Sequence, residues 1–414
     1  MPQADVLILT NGPGEVSTWV RPVVAQLHAT WGENLRISVV LSPCPHSTGE
    51  ETQILQQIAG VARVQAAEDF WPFLLWGRTA AGWDWLPQGV ALFLGGDPFY
   101  TLVCGGRLGY ATLAYAEVQV RWPDWFTALA LAKKHLLSQI PPRYQPRARV
   151  VGDLMVAAAA EAVITPPRRQ IGLLPGSKPN KLTQGVPFCL TVAAGLAQRH
   201  PDVEFILPVA PTLTLAALAR YADPQDNPII TRLGWESATL EQVGQYNYFV
   251  LKNGLRVRLV QAFPAYSVLR ECCVCITTVG ANTAELCALG VPMLVLVLTH
   301  QTVGEVARAW DGIPGVLANL PGLGWGFATA YGWWMRRRLG LLAWPNIWAG
   351  RQIVPELIGA IPPEVVGELL DQWLTQPETL AQVRRELLQV RGAVGADREV
   401  AAMVGELLAN GRIG

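Results

Sequence analysis

The stretch 274–297 constrains the fold more than any other part of the chain. It reads VCITTVGANTAELCALGVPMLVLV. Its two apolar runs, Val274–Ile276 and Val291–Leu298, are short and rich in β-branched residues, so they predict buried strands rather than spanning helices. Between them Asn282 or Thr283 can cap a helix, which a glycine followed by Val-Pro then ends. The stretch therefore predicts one strand–helix–strand unit of a parallel sheet.

The turn of this unit, residues 277–281, is expected where the carboxyl end of a strand meets a helix N-terminus. Free backbone N–H groups and the helix dipole suit such a turn to a phosphate. Glu285, predicted in the first helical turn, could hydrogen-bond a sugar hydroxyl beside that phosphate. The alternative is that Glu285 only complements the helix dipole, as acidic residues often do. This stretch alone leaves both interpretations open.

Length and composition favour a protein of two domains. A chain of 414 residues exceeds what one hydrophobic core usually fills. Half of the residues are hydrophobic and the formal net charge is zero, so no global field favours nucleic acid. The seven cysteines lie mostly in apolar runs. We interpret them, including Cys272, Cys273 and Cys275, as reduced core residues rather than as metal ligands or disulfides.

One segment bears on membranes. Residues 312–335 carry no charge, but two prolines and six glycines interrupt them, which argues against a single spanning helix. Aromatic residues followed by a basic triplet are typical of an interfacial membrane patch, although a buried Gly-rich loop and helix is the alternative. The predicted membrane contacts are Trp325, Trp333, Trp334, Arg336, Arg337 and Arg338. Tryptophans between positions 71 and 85 suggest a second lipid-facing patch. The N-terminus lacks the basic region of a secretory signal.

The first half of the chain contains two candidate ligand turns. A buried strand at Asp5–Thr10 breaks at Asn11-Gly-Pro-Gly-Glu15, where Gly14 permits close approach to a ligand. This turn lacks the spacing of a dinucleotide fingerprint and the Lys-Ser/Thr of a P-loop. A second strand is predicted at Leu35–Leu41, and another, from Gly89, ends just before Asp97. That carboxylate could act as a general base or simply cap the following helix. Ala111–Glu117 and Lys134–Leu137 are expected to be further strands.

The second half repeats the alternation of strands and helices. Strand residues from Gln170 lead into a loop with Gly176, Ser177 and Lys178. Two α/β halves, each with a ligand-type turn after its first strand, predict a cleft between them. The predicted domains are 1–165 and 166–345, both Rossmann-like, followed by a helical segment, 346–414, that packs across them.

Three motifs then carry a family resemblance. They are Leu173-Leu-Pro-Gly-Ser-Lys178, Thr278-Val-Gly-Ala-Asn-Thr-Ala-Glu-Leu-Cys-Ala-Leu-Gly-Val-Pro-Met293 and Pro345-Asn-Ile-Trp-Ala-Gly-Arg-Gln-Ile-Val-Pro-Glu-Leu357. Together they resemble the lipid-A-disaccharide synthase family, whose members are GT-B glycosyltransferases. The resemblance implies an α/β fold of GT-B type: two Rossmann-like domains facing across a cleft, with C-terminal helices. It covers most of the second half strongly and the first half weakly.

The resemblance also implies roles for individual residues. Asp97, or Glu15 in its place, would be the catalytic base, and Asn346 would belong to the active site. The donor would be a nucleotide sugar, UDP-linked, with no cofactor and no metal. The implied donor-binding residues are Gly14, Gly176, Ser177, Lys178, Gly280, Asn282, Thr283, Glu285 and Arg351.

Several positions depart from the family pattern. Lys178 stands where the family has an arginine, which removes a bidentate fork. Lys181 replaces an expected glutamate, and Trp19 replaces an aspartate. Around Asp97 the order is Asp-Pro-Phe-Tyr rather than Pro-Asp-Phe-Asn. Departures so close to the substrates predict a divergent relative with a different acceptor.

The sequence thus predicts an inverting glycosyltransferase at the inner face of a membrane. It would move a sugar from a UDP-linked donor to a lipid or lipid-linked acceptor, as a cytoplasmic, peripherally associated protein. Two alternatives remain: a UDP-sugar 2-epimerase of GT-B architecture, and a membrane-surface protein with a decayed transferase site. In the resembling family the C-terminal part can exchange between chains, which leaves a homodimer open.

Overall fold

The chain forms two compact units. The computed structural model describes residues 3–44, 49, 51–160, 167–211, 213–299 and 340–410. Unit 1 comprises Met1–Glu161 together with Gly392–Gly414, and unit 2 comprises Ala162–Arg391.

Unit 1 is built on a seven-stranded sheet in the order β3-β2-β1-β4-β5-β6-β7. Every neighbouring pair in it is parallel. The interior strand β1 is buried along its whole length, as its continuous apolar run predicts. The strands are β1 (Ala4–Thr10), β2 (Leu35–Leu41), β3 (Val61–Gln65), β4 (Gly89–Phe93), β5 (Ala111–Ala116), β6 (Ala128–Leu131) and β7 (Ala148–Val150).

The helices of unit 1 follow the strands on both faces of this sheet. They are α1 (Pro13–Glu15), α2 (Arg21–Trp31), α3 (Glu51–Gln56), α4 (Phe70–Trp76), α5 (Pro98–Leu108) and α6 (Leu154–Ala160). A π-helical turn, Val16–Val20, joins α1 to α2. Lys134–Gln139 is a 3-10 helix, so the strand expected at Lys134–Leu137 is wrong. The strand in this part of the chain is the preceding β6, and residues 134–139 belong to the connection that follows it.

A buried ion pair holds the amino-terminal ends of the unit 1 strands together. The fully buried Asp5 on β1 accepts two hydrogen bonds from Arg36 on β2, at 2.6 and 2.9 Å. It also accepts from the Tyr110 hydroxyl at 2.8 Å and from the N–H of Leu86 at 2.7 Å. Four donors around one carboxylate offset the cost of burying its charge.

Unit 2 is built on an eight-stranded mixed sheet in the order β10-β11-β12-β9-β8-β13-β14-β15. The β10–β11–β12 strands form an antiparallel meander, and the remaining neighbours are parallel. The strands are β8 (Arg168–Leu174), β9 (Glu204–Pro208), β10 (Ala238–Val243), β11 (Tyr246–Leu251), β12 (Arg256–Val260), β13 (Cys272–Thr278), β14 (Met293–Leu298) and β15 (Glu356–Gly359). An Asn-Gly turn, Asn253-Gly254, joins β11 to β12, with Gly254 at a φ of 83°.

The helices of unit 2 cover this sheet. They are α7 (Pro179–Arg199), α8 (Leu215–Ala219), α9 (Ile229–Leu233), α10 (Tyr266–Arg270), α11 (Ala281–Leu289), α12 (Trp344–Ala349), α13 (Pro363–Thr375) and α14 (Pro377–Arg391). The predicted strand–helix–strand unit is present as β13, α11 and β14. Cys272 and Cys275 are buried in β13, and five of the seven cysteines are buried in all, with Cys44 and Cys273 partly accessible.

The C-terminal segment does not form a unit of its own. Helices α12 to α14 belong to unit 2, whereas α15 (Ala396–Asn410) belongs to unit 1. Val400 and Val404 of α15 join the core that contains β1 and α2. Gly405 allows close approach, because a Cβ there would lie 2.7 Å from the Trp31 ring. The segment predicted as 346–414 is thus divided between the units at residues 391 and 392.

Across the described ranges, the model contains no helix that is both long enough and apolar enough to cross a membrane.

We predict that Asp5→Ala lowers the free energy of unfolding by about 3–5 kcal/mol, because the Arg36 guanidinium loses its buried partner and the Leu86 N–H loses its acceptor. Urea denaturation followed by circular dichroism measures this change. Asp84→Ala is the matched control: it removes the exposed second partner of Arg36 and should cost much less stability. Equal losses in the two variants would contradict the assignment of Asp5 as the structural anchor.

Candidate functional site

The strand order of unit 2 reverses between β8 and β13. From β8 the chain proceeds outward to β9, and from β13 it proceeds the other way to β14 and β15. In open α/β sheets, ligands bind outside the carboxyl ends of the strands at such a switch point. Leu174 of β8 pairs with Thr277 of β13, so the two following turns begin side by side.

Both turns depend on a glycine in the left-handed region. Gly176 has a φ of 102° and Gly280 a φ of 144°, conformations that favour glycine. A Cβ on Gly176 would lie 3.2 Å from the Thr278 hydroxyl oxygen. The two turns therefore pack against each other, and a side chain on either glycine would strain the backbone.

Each turn leads into a helix whose N-terminus carries no acidic residue in its first turn. Helix α7 starts after Lys178, and α11 starts after Gly280 rather than after the predicted caps Asn282 or Thr283. The Thr283 hydroxyl instead donates to the carbonyl oxygen of Gly280 at 2.9 Å. The first N–H groups of a helix lack intrahelical partners, so both helices offer donors to an anion at this edge. Ser177 and Lys178 are exposed there.

Glu285 lies in the second turn of α11, one turn further than predicted. Part of its surface is accessible, yet the surrounding protein desolvates its carboxyl and raises its pKa to about 7. Among the described residues it makes no hydrogen bond and no ion pair. A carboxyl that is desolvated and has no partner among the described residues can hydrogen-bond a ligand hydroxyl.

Asn346 is buried and fully occupied by the protein itself. Its amide NH₂ donates to the Val354 carbonyl at 2.9 Å and to the Glu356 carboxylate at 2.7 Å. Its amide oxygen accepts from the N–H groups of Ile353 and Val354 at 2.7 and 2.9 Å. Two donors and two acceptors are all that an amide has. These contacts favour a role in positioning the loop rather than the predicted catalytic role.

The loop that Asn346 organises reaches the candidate turn. Glu356 accepts from the N–H groups of Leu342 and Ala343, which fixes the start of α12. The N–H of Trp344 donates to the Thr283 hydroxyl at 3.2 Å. Arg351, predicted to bind the donor, is exposed and pairs with Glu386 on α14 at 2.8 Å. The motif 345–357 thus holds the loop whose neighbouring residue, Trp344, is hydrogen-bonded to α11.

The strand order of unit 1 also reverses, between β1 and β4. The Thr10 hydroxyl at the end of β1 donates to the Leu94 carbonyl at 2.9 Å, which ties the two strand ends together. A Cβ on Gly95 would lie 3.0 Å from the side chains of Thr10, Asn11 and Glu15. Because Gly95 has no side chain, the polar side chains of Thr10, Asn11 and Glu15 can lie close to its backbone at this switch point.

Glu15 and Asp97 differ in what their carboxylates contact. Asp97 caps α5 by accepting from the N–H of Phe99 at 3.0 Å, and its other oxygen pairs with Arg121 at 3.1 Å. Glu15 lies beside Gly12 and Gly95 and makes no hydrogen bond or ion pair within the described part of the chain. Gly14, predicted to bind the donor, is an exposed residue of α1 in unit 1.

Sequence reasoning missed a third carboxyl at this edge, Glu117. It follows β5, and burial together with the charges of Asp153 and Glu15 raises its pKa to about 7. Asp153 is buried 4.0 Å from the Lys133 ammonium, and burial raises its pKa as well. The available signal was positional: a carboxylate directly after a buried parallel strand, as with Asp97.

The predicted membrane contacts lie outside the described residues. This applies to Trp325, Trp333, Trp334, Arg336, Arg337 and Arg338.

Known proteins resemble the chain in sequence over part of its length. No protein-family model matches it. A lipid-A-disaccharide synthase from Geobacter sulfurreducens is 27% identical over 260 residues, 61% of this chain and 52% of that protein. One from Geobacter metallireducens is 26% identical over 259 residues, 62% and 53% of the two chains. These matches confirm the predicted resemblance to the lipid-A-disaccharide synthase family. The chain spans about half the length of these relatives.

A solved structure agrees in fold. A UDP-GlcNAc 2-epimerase from Neisseria meningitidis, bound to UDP-GlcNAc, superposes with a TM-score of 0.54 at 13% identity, covering 97% of this chain and 100% of that one. With the two sheets described above, this confirms the predicted GT-B fold class.

We predict that Glu285→Gln stabilises the protein by roughly 1–3 kcal/mol at pH 8.5 and has little effect at pH 4.5. The native carboxyl, with its pKa near 7, retains a proton that the unfolded chain releases near pH 4.5. Wild-type stability therefore falls as pH rises through this window, whereas glutamine does not titrate. Denaturant unfolding at the two pH values measures the difference, and a pH-independent effect would contradict it.

Proposed function

We propose that the protein transfers a sugar from a UDP-linked donor to a lipid or lipid-linked acceptor. The observation that carries the proposal is the pair of glycine turns at the switch point of unit 2. They bring two helix N-termini and a carboxyl with a pKa near 7 to one sheet edge. A nucleotide diphosphate matches the N-termini, and its ribose hydroxyls match Glu285. The relatives named lipid-A-disaccharide synthases support this reading.

Unit 1 supplies the base in this proposal. Of the two predicted carboxylates, we assign the role to Glu15, because the Phe99 N–H and the Arg121 guanidinium hold the Asp97 carboxylate, whereas Glu15 makes no hydrogen bond or ion pair among the described residues. A general base must turn a lone pair toward the proton of the attacking hydroxyl, which a carboxylate without protein partners does most readily. Glu117 provides a second carboxyl beside Glu15 on the same sheet edge. Donor binding and base function are thus assigned to different units.

An exposed apolar surface on unit 1 supports a lipid acceptor. We call it the aromatic surface; its members are Trp71, Leu75, Trp76, Phe99, Trp122 and Trp125, exposed by 49, 55, 66, 41, 42 and 65%. The rings of Phe99, Trp122 and Trp125 form a contiguous row, with centroids 5.9 and 6.3 Å apart. Helix α4 contains no polar residue at all. Clustered exposed tryptophans of this kind are typical of surfaces that meet a lipid interface.

The backbone conformation of Trp122 also supports a functional role for the aromatic surface. Its φ of 55° lies in the left-handed region, which costs a bulky residue about 1–3 kcal/mol. Backbone strain of this kind is retained mainly where function requires the geometry. In the proposal, the acyl part of the acceptor contacts this surface at the cytoplasmic face of a membrane, where the protein binds peripherally.

We predict that the wild type consumes UDP-glucose or UDP-GlcNAc only when an extract of membrane lipids is present. Radiolabelled sugar recovered in the lipid phase measures the transfer. Glu15→Gln should lower the rate about 100-fold or more, because general base catalysis contributes 10²–10⁴-fold. Asp97→Asn should lower it far less. Conversion of UDP-GlcNAc without any lipid would instead identify a 2-epimerase, and the opposite ranking of the two variants would overturn the assignment of the base.

We also predict that replacing Trp71, Trp76 and Trp125 by serine reduces binding to phospholipid vesicles at least 10-fold, since each exposed tryptophan loses its interfacial contact. Vesicle sedimentation measures the bound fraction. The control replaces Leu240, Val243 and Tyr246, which are exposed on the β10–β11 hairpin of unit 2. Undiminished vesicle binding by the tryptophan variant would rule out the aromatic surface as the lipid contact.

A further inference from the structure

Lys181 connects the two glycine turns of unit 2. It belongs to the first turn of α7, and its stem passes Gly176, where a Cβ would lie 3.0 Å from its Cδ. Its ammonium reaches the other turn and donates to the carbonyl oxygen of Val279 at 2.5 Å. A Cβ on Gly280 would lie 3.7 Å from the same nitrogen. The charge therefore lies between the N-termini of α7 and α11.

The ammonium of Lys181 is only partly satisfied. Among the described residues its hydrogen-bond acceptor is a neutral carbonyl, and no carboxylate pairs with it. Burial lowers its pKa, and the nearby charge of Lys178 lowers it further. An ammonium has three N–H donors, and a desolvated charge is costly until an opposite charge pairs with it. A donor group and an unbalanced positive charge thus remain at the edge where two helix dipoles converge.

We propose that Lys181, rather than the exposed Lys178, is the principal charge partner of the donor's diphosphate. This inference rests on the proposed function, because it takes the ligand to be a nucleoside diphosphate. The stem of Lys181 is held against the Gly176 turn, so its ammonium is positioned before the ligand arrives and little side-chain entropy is lost on binding. Lys178 projects from the N-cap position into solvent, where salt screens its charge.

The position of the ammonium also defines the ligand class. A single phosphate can be bound by the N-terminus of one helix, whereas the Lys181 ammonium lies where both turns meet. A diphosphate can contact both helix N-termini while an oxygen of either phosphate accepts from Lys181. The site should therefore discriminate UDP from UMP, and Lys181 should carry much of that discrimination.

The test is calorimetric binding of UDP, UMP, uridine and inorganic pyrophosphate at physiological ionic strength. Lys181→Met keeps the apolar stem and removes the charge. It should weaken UDP binding about 10- to 100-fold, as expected for a charge-assisted hydrogen bond, and leave uridine binding unchanged. Lys178→Met is the matched control and should weaken UDP binding about 3-fold or less. Lys181→Arg, which keeps the charge, should recover part of the loss.

The outcomes separate this inference from the proposed function. If the wild type binds UDP and Lys181→Met binds it equally well, or if Lys178→Met causes the larger loss, the inference fails while the nucleotide site stands. If the wild type binds none of the four ligands, both fail. Pyrophosphate binding as tight as UDP binding would overturn the nucleotide as the ligand. Thermal unfolding of Lys181→Met should match or exceed the wild type, because a desolvated charge has been removed.

Discussion

The parallel order of the strands is the constraint on which both candidate sites depend. Parallel neighbours end at the same edge of a sheet, and reversal of the strand order leaves two adjacent turns there. In unit 2 these turns follow β8 and β13, and they pack so closely that Gly176 has no room for a side chain beside Thr278. Lys181 then bridges them through Val279. A local requirement for glycine and a long-range contact thus shape the edge to which we assign the anion.

The C-terminal motif makes its contacts to this edge within the protein. Asn346 uses its whole amide to hold residues 353–356, and Glu356 fixes the start of α12. The hydrogen bond from the Trp344 N–H to the Thr283 hydroxyl connects this loop to α11. The buried hydrogen bonds of this motif must be satisfied together, because a buried polar group left without a partner is costly. The structure therefore gives the motif a scaffolding role.

Much of the fold could be predicted from the sequence because the strands are fully buried. Continuous apolar runs with β-branched residues identified β1, β2, β13 and β14, and glycines marked the turns between them. The predicted strand at Lys134–Leu137 failed because a short mixed run has no clear period, and tertiary context made it a 3-10 helix. The return of α15 to unit 1 had no local signal, since it depends on packing against α2.

The candidate site was predictable in position more than in detail. Strand ends pointed to the turns that the structure places at the two switch points, but side-chain partners depend on residues far apart in the sequence. The pairing of Asp97 with Arg121 and the contact of Lys181 with Val279 could not be predicted from the sequence. Glu117 was missed because its neighbour Asp153 is distant along the chain. Burial and pairing, which decide chemistry, are properties of the fold.

Hydrogen–deuterium exchange with and without UDP tests the central claim most directly, because it reports where the nucleotide binds. The account predicts slower exchange at residues 175–182 and 279–285, whose backbone N–H groups would face the diphosphate and ribose, with smaller changes along the strands of unit 1. Protection confined to unit 1, or no protection at saturating UDP, would contradict the assignment of the nucleotide to the glycine turns of unit 2.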